Sequence, residues 1–142
     1  MVTISSGLAG GLLATIVMTA FMMALGDDSP PPTAALWASY VGDDPADAYL
    51  MQGMVLHLLY GTAGGAVFVL ALPAIGVGLS DLVLTTAAGV DYAIILTLVA
   101  MVFWMNLVLD VDAEPKEMAM FVGFHLVYGI VLGGFVGAGL LA

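Results

Sequence analysis

The sequence predicts an all-α integral membrane protein with four transmembrane helices, arranged as two tandem parallel helical-hairpin repeats. Three observations carry this prediction. Hydrophobic residues make up 63% of the 142 residues, charged residues only 8%, and the mean hydropathy is +1.16, whereas soluble domains are about half apolar. Four unbroken apolar stretches reach the roughly 20 residues that a membrane-spanning helix needs. The pattern His-x-x-Tyr-Gly-x-x-x-Gly occurs twice at an offset of 68 residues, which indicates an internal repeat.

The four spans follow from the apolar stretches in order. They are predicted at about residues 6–25, 50–72, 89–109 and 117–141. Pro73 closes the second span, because proline lacks the backbone N–H that would continue the helix. The long runs lack the short alternating pattern of barrel strands, so they are expected to be helices. Residues 1–142 then form a single membrane domain, with a first hairpin at 6–72 and a second at 89–141.

Each hairpin has an acidic loop, at residues 26–49 in the first and 110–116 in the second. Two crossings separate the loops, so both leave the same face of the membrane. In the longer loop, Trp37 and Tyr40 are suited to the headgroup region and predict a short interfacial helix over residues 33–41. Asp27 and Asp28, with the prolines that follow, are expected to end the first span.

On the opposite face, residues 73–88 are predicted to lie along the interface or to extend the third helix. Asp81 and Asp91 lie near the predicted start of that helix. We interpret both as interface residues, with a cation path as the alternative. Glu117, in the first turn of the fourth helix, complements the helix dipole.

The charge balance excludes several functions. Eleven acidic residues oppose a single basic one, Lys116, for a net charge of −10. A nucleic-acid surface or a polybasic lipid-binding segment needs clustered basic residues. Acidic loops are typical of a surface adapted to high salt and favour a halophilic source. The positive-inside rule counts lysine and arginine, so a single lysine gives little information on orientation. We expect the acidic loops outside the cell membrane and both termini in the cytoplasm.

The two copies of the repeat pair residues of the same kind. Each copy has a histidine, a tyrosine and two glycines, namely His57, Tyr60, Gly61 and Gly65 in the first and His125, Tyr128, Gly129 and Gly133 in the second. Parallel repeats related by an axis along the membrane normal occur in transporters. The glycines form small-xxx-small faces for close helix packing. So small a bundle with several such faces is expected to form a homo-oligomer or to join a larger membrane complex.

Helix geometry predicts a layer of histidine and methionine. Measured from the acidic-loop face, both histidines lie roughly 10–12 Å deep at about 1.5 Å per residue. Methionines are expected at the same depth and one turn nearer the loops, namely Met18 and Met101, then Met22 and Met105.

Three interpretations of this layer stay open. In the first, methionine fills an irregular core and each histidine is hydrogen-bonded across the bundle, with Asn106, Thr15 and Thr19 as candidate partners. In the second, His57 and His125 are the axial ligands of a b-type haem supported by Tyr60 and Tyr128, although the chain has no arginine for the propionates. In the third, imidazoles and thioethers bind Cu(I), or the layer passes a proton or small solute.

The segment GLAGGLLATIVMTAFMM at residues 7–23, followed by His57-Leu58-Leu59-Tyr60-Gly61, resembles small uncharacterised four-helix membrane proteins of the YagU-like kind. The resemblance implies the four-span fold and, with the composition, a halophilic archaeal source. The sequence has no phosphate-binding glycine loop and no metalloprotease motif. We therefore expect a non-enzymatic accessory, structural or transport module.

Overall fold

The computed structural model describes residues 3–26, 30–110, 112 and 114–141, and the regular structure in these residues is entirely helical. The helices are α1 (Ile4–Leu25), α2 (Pro32–Tyr40), α3 (Leu50–Ala74), α4 (Leu82–Val99) and α5 (Pro115–Gly137). A 3₁₀ turn at Ala46–Tyr49 leads into α3, and a π-helical segment at Ala100–Val108 continues α4. Four of these units are long and apolar enough to cross a bilayer. The predicted all-α class and the four spans are confirmed, and the chain is a multi-pass membrane protein.

The ends of the helices follow ordinary capping chemistry. Thr3 and Ser6 form a capping box at the start of α1. Glu117 lies in the first turn of α5, where its Oε2 accepts a hydrogen bond of 2.9 Å from the Glu114 backbone N–H. Such reciprocal bonds satisfy N–H groups that have no partner within the helix. Asp27 and Asp28, which we expected to end the first span, lie outside the described residues.

The third span begins earlier than predicted. α4 starts at Leu82, where Asp81 caps it by accepting a 2.8 Å hydrogen bond from the Leu84 N–H. Residues 82–88 therefore extend the helix, the second of the two predicted alternatives. The placement of Asp91 near a helix end was wrong, because Asp91 is an exposed residue well inside α4, about 13 Å from its start.

The helices pack as two antiparallel pairs, α1 with α3 and α4 with α5. α1 also packs along α5, whereas α3 and α4 touch in only a few places. The two hairpins thus meet mainly through α1 and α5, and the equivalent contact between α3 and α4 is much smaller. The predicted tandem repeat with a twofold axis stays a prediction.

Glycines allow the backbones to approach within each pair. A Cβ at Gly65 would collide with the Gly7 carbonyl oxygen and would lie 2.7 Å from the Gly11 Cα. In the second pair, a Cβ at Gly129 would collide with the Gly89 carbonyl oxygen. Real Cβ atoms do not approach backbone this closely, so these helix pairs require glycine at the contact.

The bundle divides into two halves along its length. The half away from the acidic loops contains the glycine contacts and most of the core, including Phe68, Leu132 and Val136, which are at most 1% exposed. The half beside the acidic loops contains every methionine of the described residues, namely Met18, Met22, Met23, Met51, Met54, Met101, Met105, Met118 and Met120. Two cavities lie in this methionine-rich half.

Candidate functional site

A cavity of about 290 Å³ in the methionine-rich half brings both histidines together. All four spans and the start of α2 contribute to its wall. Its chemistry comes from a small set of side chains, namely His57, His125, Tyr60, Tyr128, Met18, Met22, Met105, Trp104, Thr15 and Thr33. We call this the inner cavity. Its volume is close to the lower end of the range for small-molecule sites.

The two histidines differ in their hydrogen bonding. Nδ1 of His125 lies 2.9 Å from the Phe121 carbonyl oxygen. When Nδ1–H donates that bond, the neutral ring keeps its lone pair on Nε2. Nε2 of His57 is buried and has no hydrogen-bond partner among the described residues. An unpaired buried polar atom costs about 1–3 kcal/mol, and a bound ligand would recover that cost.

Two tyrosines of the second hairpin donate hydrogen bonds to the first hairpin, on the side of the inner cavity away from the acidic loops. The Tyr128 hydroxyl donates a 2.6 Å hydrogen bond to the Gly61 carbonyl, and the Tyr92 hydroxyl donates a 2.9 Å bond to the Gly64 carbonyl. Tyr60, the repeat counterpart of Tyr128, is 45% exposed at the cavity edge, whereas Tyr128 is 3% exposed. The two equivalent tyrosines therefore have different environments.

The methionines of the predicted layer divide between two cavities. Met18, Met22 and Met105 line the inner cavity, but Met101 does not. Met101 lines a second cavity of about 260 Å³, which shares Met22 and Met105 with the first. We call this the outer cavity. The predicted methionines therefore do not all line one cavity, since Met101 lines only the outer cavity and Met105 lines both.

Asn106, a predicted partner of the histidines, is exposed and lines neither cavity. It follows Met105 in the π-helical segment, where the Leu109 N–H donates to the Trp104 carbonyl five residues earlier. Consecutive residues of a helix point in different directions, so Asn106 faces away when Met105 faces the cavity. Segments of π-helix are rare and occur frequently at functional sites.

The start of α2 closes one side of the inner cavity, which sequence reasoning did not predict. Pro31, Pro32 and Thr33 line the cavity, and the Thr33 hydroxyl is buried without a partner among the described residues. α2 is held there by close packing on α3, where a Cβ at Gly53 would lie 2.7 Å from Ala34. The only sequence signals were the predicted helix over residues 33–41 and the prolines before it.

Two further residues of the site were not predicted, Trp104 and Tyr92. Trp104 lines the inner cavity from the π-helical segment, and Tyr92 donates the second interhelical hydrogen bond. Neither belongs to the repeated motif. A hydroxyl in an apolar span was the one available signal for Tyr92, since such groups usually find a partner across the bundle.

Comparison of the chain with protein-family models, curated proteins and solved structures gave no match. The function therefore has to be inferred from the geometry of the inner cavity and its surroundings.

Proposed function

We propose that the protein is a non-enzymatic membrane transport or accessory module that binds a soft metal ion, Cu(I), in the inner cavity. The observation that carries the proposal is the meeting of two imidazoles and three thioethers around one cavity. His57 and His125 supply the nitrogens, and Met18, Met22 and Met105 supply the sulfurs.

The donor atoms favour a soft ion over a hard one. Imidazole and thioether ligands suit Cu(I), whereas Mg²⁺ and Ca²⁺ require carboxylate and carbonyl oxygens. No aspartate or glutamate lines the inner cavity among the described residues. The described residues also contain no group of three or more histidine, aspartate and glutamate side chains suited to a metal. A site built on methionine agrees with both observations.

The surroundings support a cationic ligand. The chain has a net charge of −10, and carboxylates around an entrance raise the local concentration of cations. We propose that the acidic loops face the outside of the cell and that both termini are cytoplasmic. Large apolar residues on the outer surface, such as Leu70 and Leu107, contact lipid. We further propose that the protein forms a homo-oligomer or joins a larger membrane complex.

A b-type haem ligated by His57 and His125 is the second candidate. The observation in its favour is that both imidazoles line the same cavity. The space beside Gly61 and Gly64 offers no room for a flat macrocycle, because Thr15 and the hydroxyls of Tyr92 and Tyr128 occupy it. Bis-histidine ligation is typical of such haems. The absence of arginine from the sequence counts against it, because propionates need cationic partners. Two candidates remain. The histidines could have a purely structural role in packing the bundle, or the cavity could pass a proton or small solute.

The experiment that separates these functions uses the full chain purified in detergent. Its optical spectrum is recorded oxidised and dithionite-reduced, and its metal content is measured after incubation with Cu(I) under reducing conditions and desalting. The proposal expects at least one tightly held Cu(I) per chain and no visible band. The double variant His57→Leu/His125→Leu should lose the copper of the inner cavity, whereas Met51→Leu should bind as much copper as the wild type, because Met51 is 74% exposed and lines neither cavity.

Other results would overturn the copper proposal. A sharp reduced α-band that disappears in the histidine variant would establish the haem. A colourless protein that retains no copper would exclude the metal site, and flux in liposomes would then distinguish solute transport from packing.

We also propose that the chain comes from a halophilic archaeon and is related to the YagU-like membrane proteins. The supports are the acidic loops and the glycine-rich first span, residues 7–23. The halophilic part is tested by following helix content as salt is withdrawn. A halophilic protein loses structure at low salt, since repulsion among its carboxylates is then unscreened.

A further inference from the structure

We propose that the outer cavity is a loading site, through which the soft metal ion enters from the acidic-loop face and passes to the inner cavity. This inference rests on the function proposed above. It goes further by naming a second metal site and a direction of access. The thioethers that line the outer cavity are those of Met22, Met101, Met105, Met118 and Met120.

The outer cavity lies at the loop end of the bundle. Its wall includes Gly26 at the end of α1, Pro30 before α2, Leu109 after the π-helical segment and Glu117 in the first turn of α5. Met118 is 42% exposed there. The cavity is therefore the part of the site nearest the acidic loops.

Two methionines connect the two cavities. Met22 and Met105 line both of them, so an ion could move between the cavities without leaving sulfur ligands. The aromatic rings of Phe121 and Phe124 also line both cavities. The shared wall consists of thioether sulfurs and apolar surface. A hard, strongly hydrated cation would find no oxygen ligands there to replace its bound water.

The distribution of methionine argues against a role as simple core filler. Methionine fills irregular gaps in cores, and Met18 does belong to the buried core cluster. The half of the bundle away from the acidic loops nevertheless contains no methionine in the described residues. Six methionines instead line one or both cavities. Met23 and Met51 face outward at 79% and 74% exposure and provide controls.

The structure closes the inner cavity on the side away from the loops. The Tyr128 hydroxyl bonds to the Gly61 carbonyl at 2.6 Å, and beyond it the Gly65 and Gly11 backbones are in direct contact. Of the two ends of the bundle, these contacts leave the loop end as the route for an ion, while the exposed wall residues Leu59 and Tyr60 lie at the side of the bundle. Glu117 places a carboxylate at the wall of the entrance, where it attracts cations.

The test uses Ag(I), a redox-inert analogue of Cu(I), and the full chain in lipid nanodiscs. Bound silver is counted after desalting, and the rate of loading is followed by rapid mixing and quenching with a thiol chelator. The outer variant is Met101→Leu/Met118→Leu/Met120→Leu, which leaves the shared methionines in place. The matched control is Met23→Leu/Met51→Leu. Leucine preserves volume and helix propensity, and circular dichroism checks the fold of each protein.

The expected result is two silver ions in the wild type and the control. The outer variant should hold one ion and load it more slowly by about tenfold or more. The histidine variant His57→Leu/His125→Leu should keep only the outer ion. An outer variant that loads its inner site at the wild-type rate would overturn the loading site and leave the proposed function standing. A histidine variant that keeps both ions would overturn the proposed function instead, and a wild type without silver would overturn both. If the triple variant loses helix content, Met101→Leu alone is measured against the same criteria.

Discussion

Replacement of Tyr128 by phenylalanine tests whether the two hairpins are joined as the structure shows. The substitution removes one hydroxyl and keeps the ring, which is 3% exposed in the core. The lost interaction is the 2.6 Å hydrogen bond to the Gly61 carbonyl. No other element is altered, so the change in stability reports on this contact between α5 and α3.

The magnitude follows from what remains after the substitution. The Gly61 carbonyl lies within α3, where a backbone N–H four residues later still bonds to it, so no acceptor is left without a partner. Interhelical side-chain hydrogen bonds in membranes average about 0.6 kcal/mol and reach about 1.7 kcal/mol. Because this bond is short and buried, we expect a loss of about 1 kcal/mol in the free energy of unfolding. Tyr92→Phe, which removes a 2.9 Å bond to Gly64, should cost somewhat less.

The assay is reversible unfolding in mixed micelles by titration with a denaturing detergent, followed by circular dichroism. Tyr60→Phe is the matched control, because Tyr60 is the repeat counterpart of Tyr128 but is 45% exposed and has no side-chain hydrogen bond to any described residue. We expect Tyr60→Phe to change stability by less than Tyr128→Phe. Equal losses in both variants would refute the asymmetric packing of the hairpins.

Three further predictions concern packing and charge. Gly65→Ala should destabilise the protein by about 1–3 kcal/mol, since the new Cβ would collide with the Gly7 carbonyl oxygen. The control is Gly123→Ala, which should be neutral or stabilising because its Cβ would meet nothing within 4 Å. Equal effects of the two substitutions in detergent melts would contradict this prediction. Asp91→Leu should raise the melting temperature in nanodiscs, because an exposed carboxylate within a span is costly; a loss of assembly would show instead that Asp91 binds a partner. Added KCl should raise the melting temperature, because salt screens the repulsion that a net charge of −10 produces. A melting temperature independent of salt would show that this repulsion does not affect stability.

The spans were the most predictable part of the fold. Their length and composition are set by the thickness of the bilayer, and the bounds of α1 and α3 agree with the predicted ones to within two residues at each end. The error at the third span was its predicted start at residue 89, which placed Asp91 near a helix end, whereas α4 begins at Leu82. Asp81 is a cap, but the helix it starts continues past Asp91, because a helix satisfies its own backbone whatever side chain it carries.

The candidate site was predictable in part. Depth along the helices could be counted from the sequence, and His57 and His125 do line one cavity. The direction in which each side chain points around its helix axis could not be predicted. Apolar residues cover every side of each span, so no apolar stripe marks the buried face. For this reason the sequence could not show that Met101 lines the outer cavity or that Asn106 is exposed in a π-helical segment. The contribution of Thr33 depends on how α2 packs on α3, which is a tertiary contact.

The most direct measurement of the central claim is X-ray absorption at the copper edge on the purified protein loaded with Cu(I). The account predicts a mixed shell of nitrogen and sulfur neighbours, from His57 and His125 and from the methionines of the inner cavity. In His57→Leu/His125→Leu the nitrogen shell should disappear, and any remaining copper should have sulfur neighbours only. A wild-type spectrum with only light-atom neighbours from water or buffer, or a nitrogen shell that persists in the histidine variant, would contradict it.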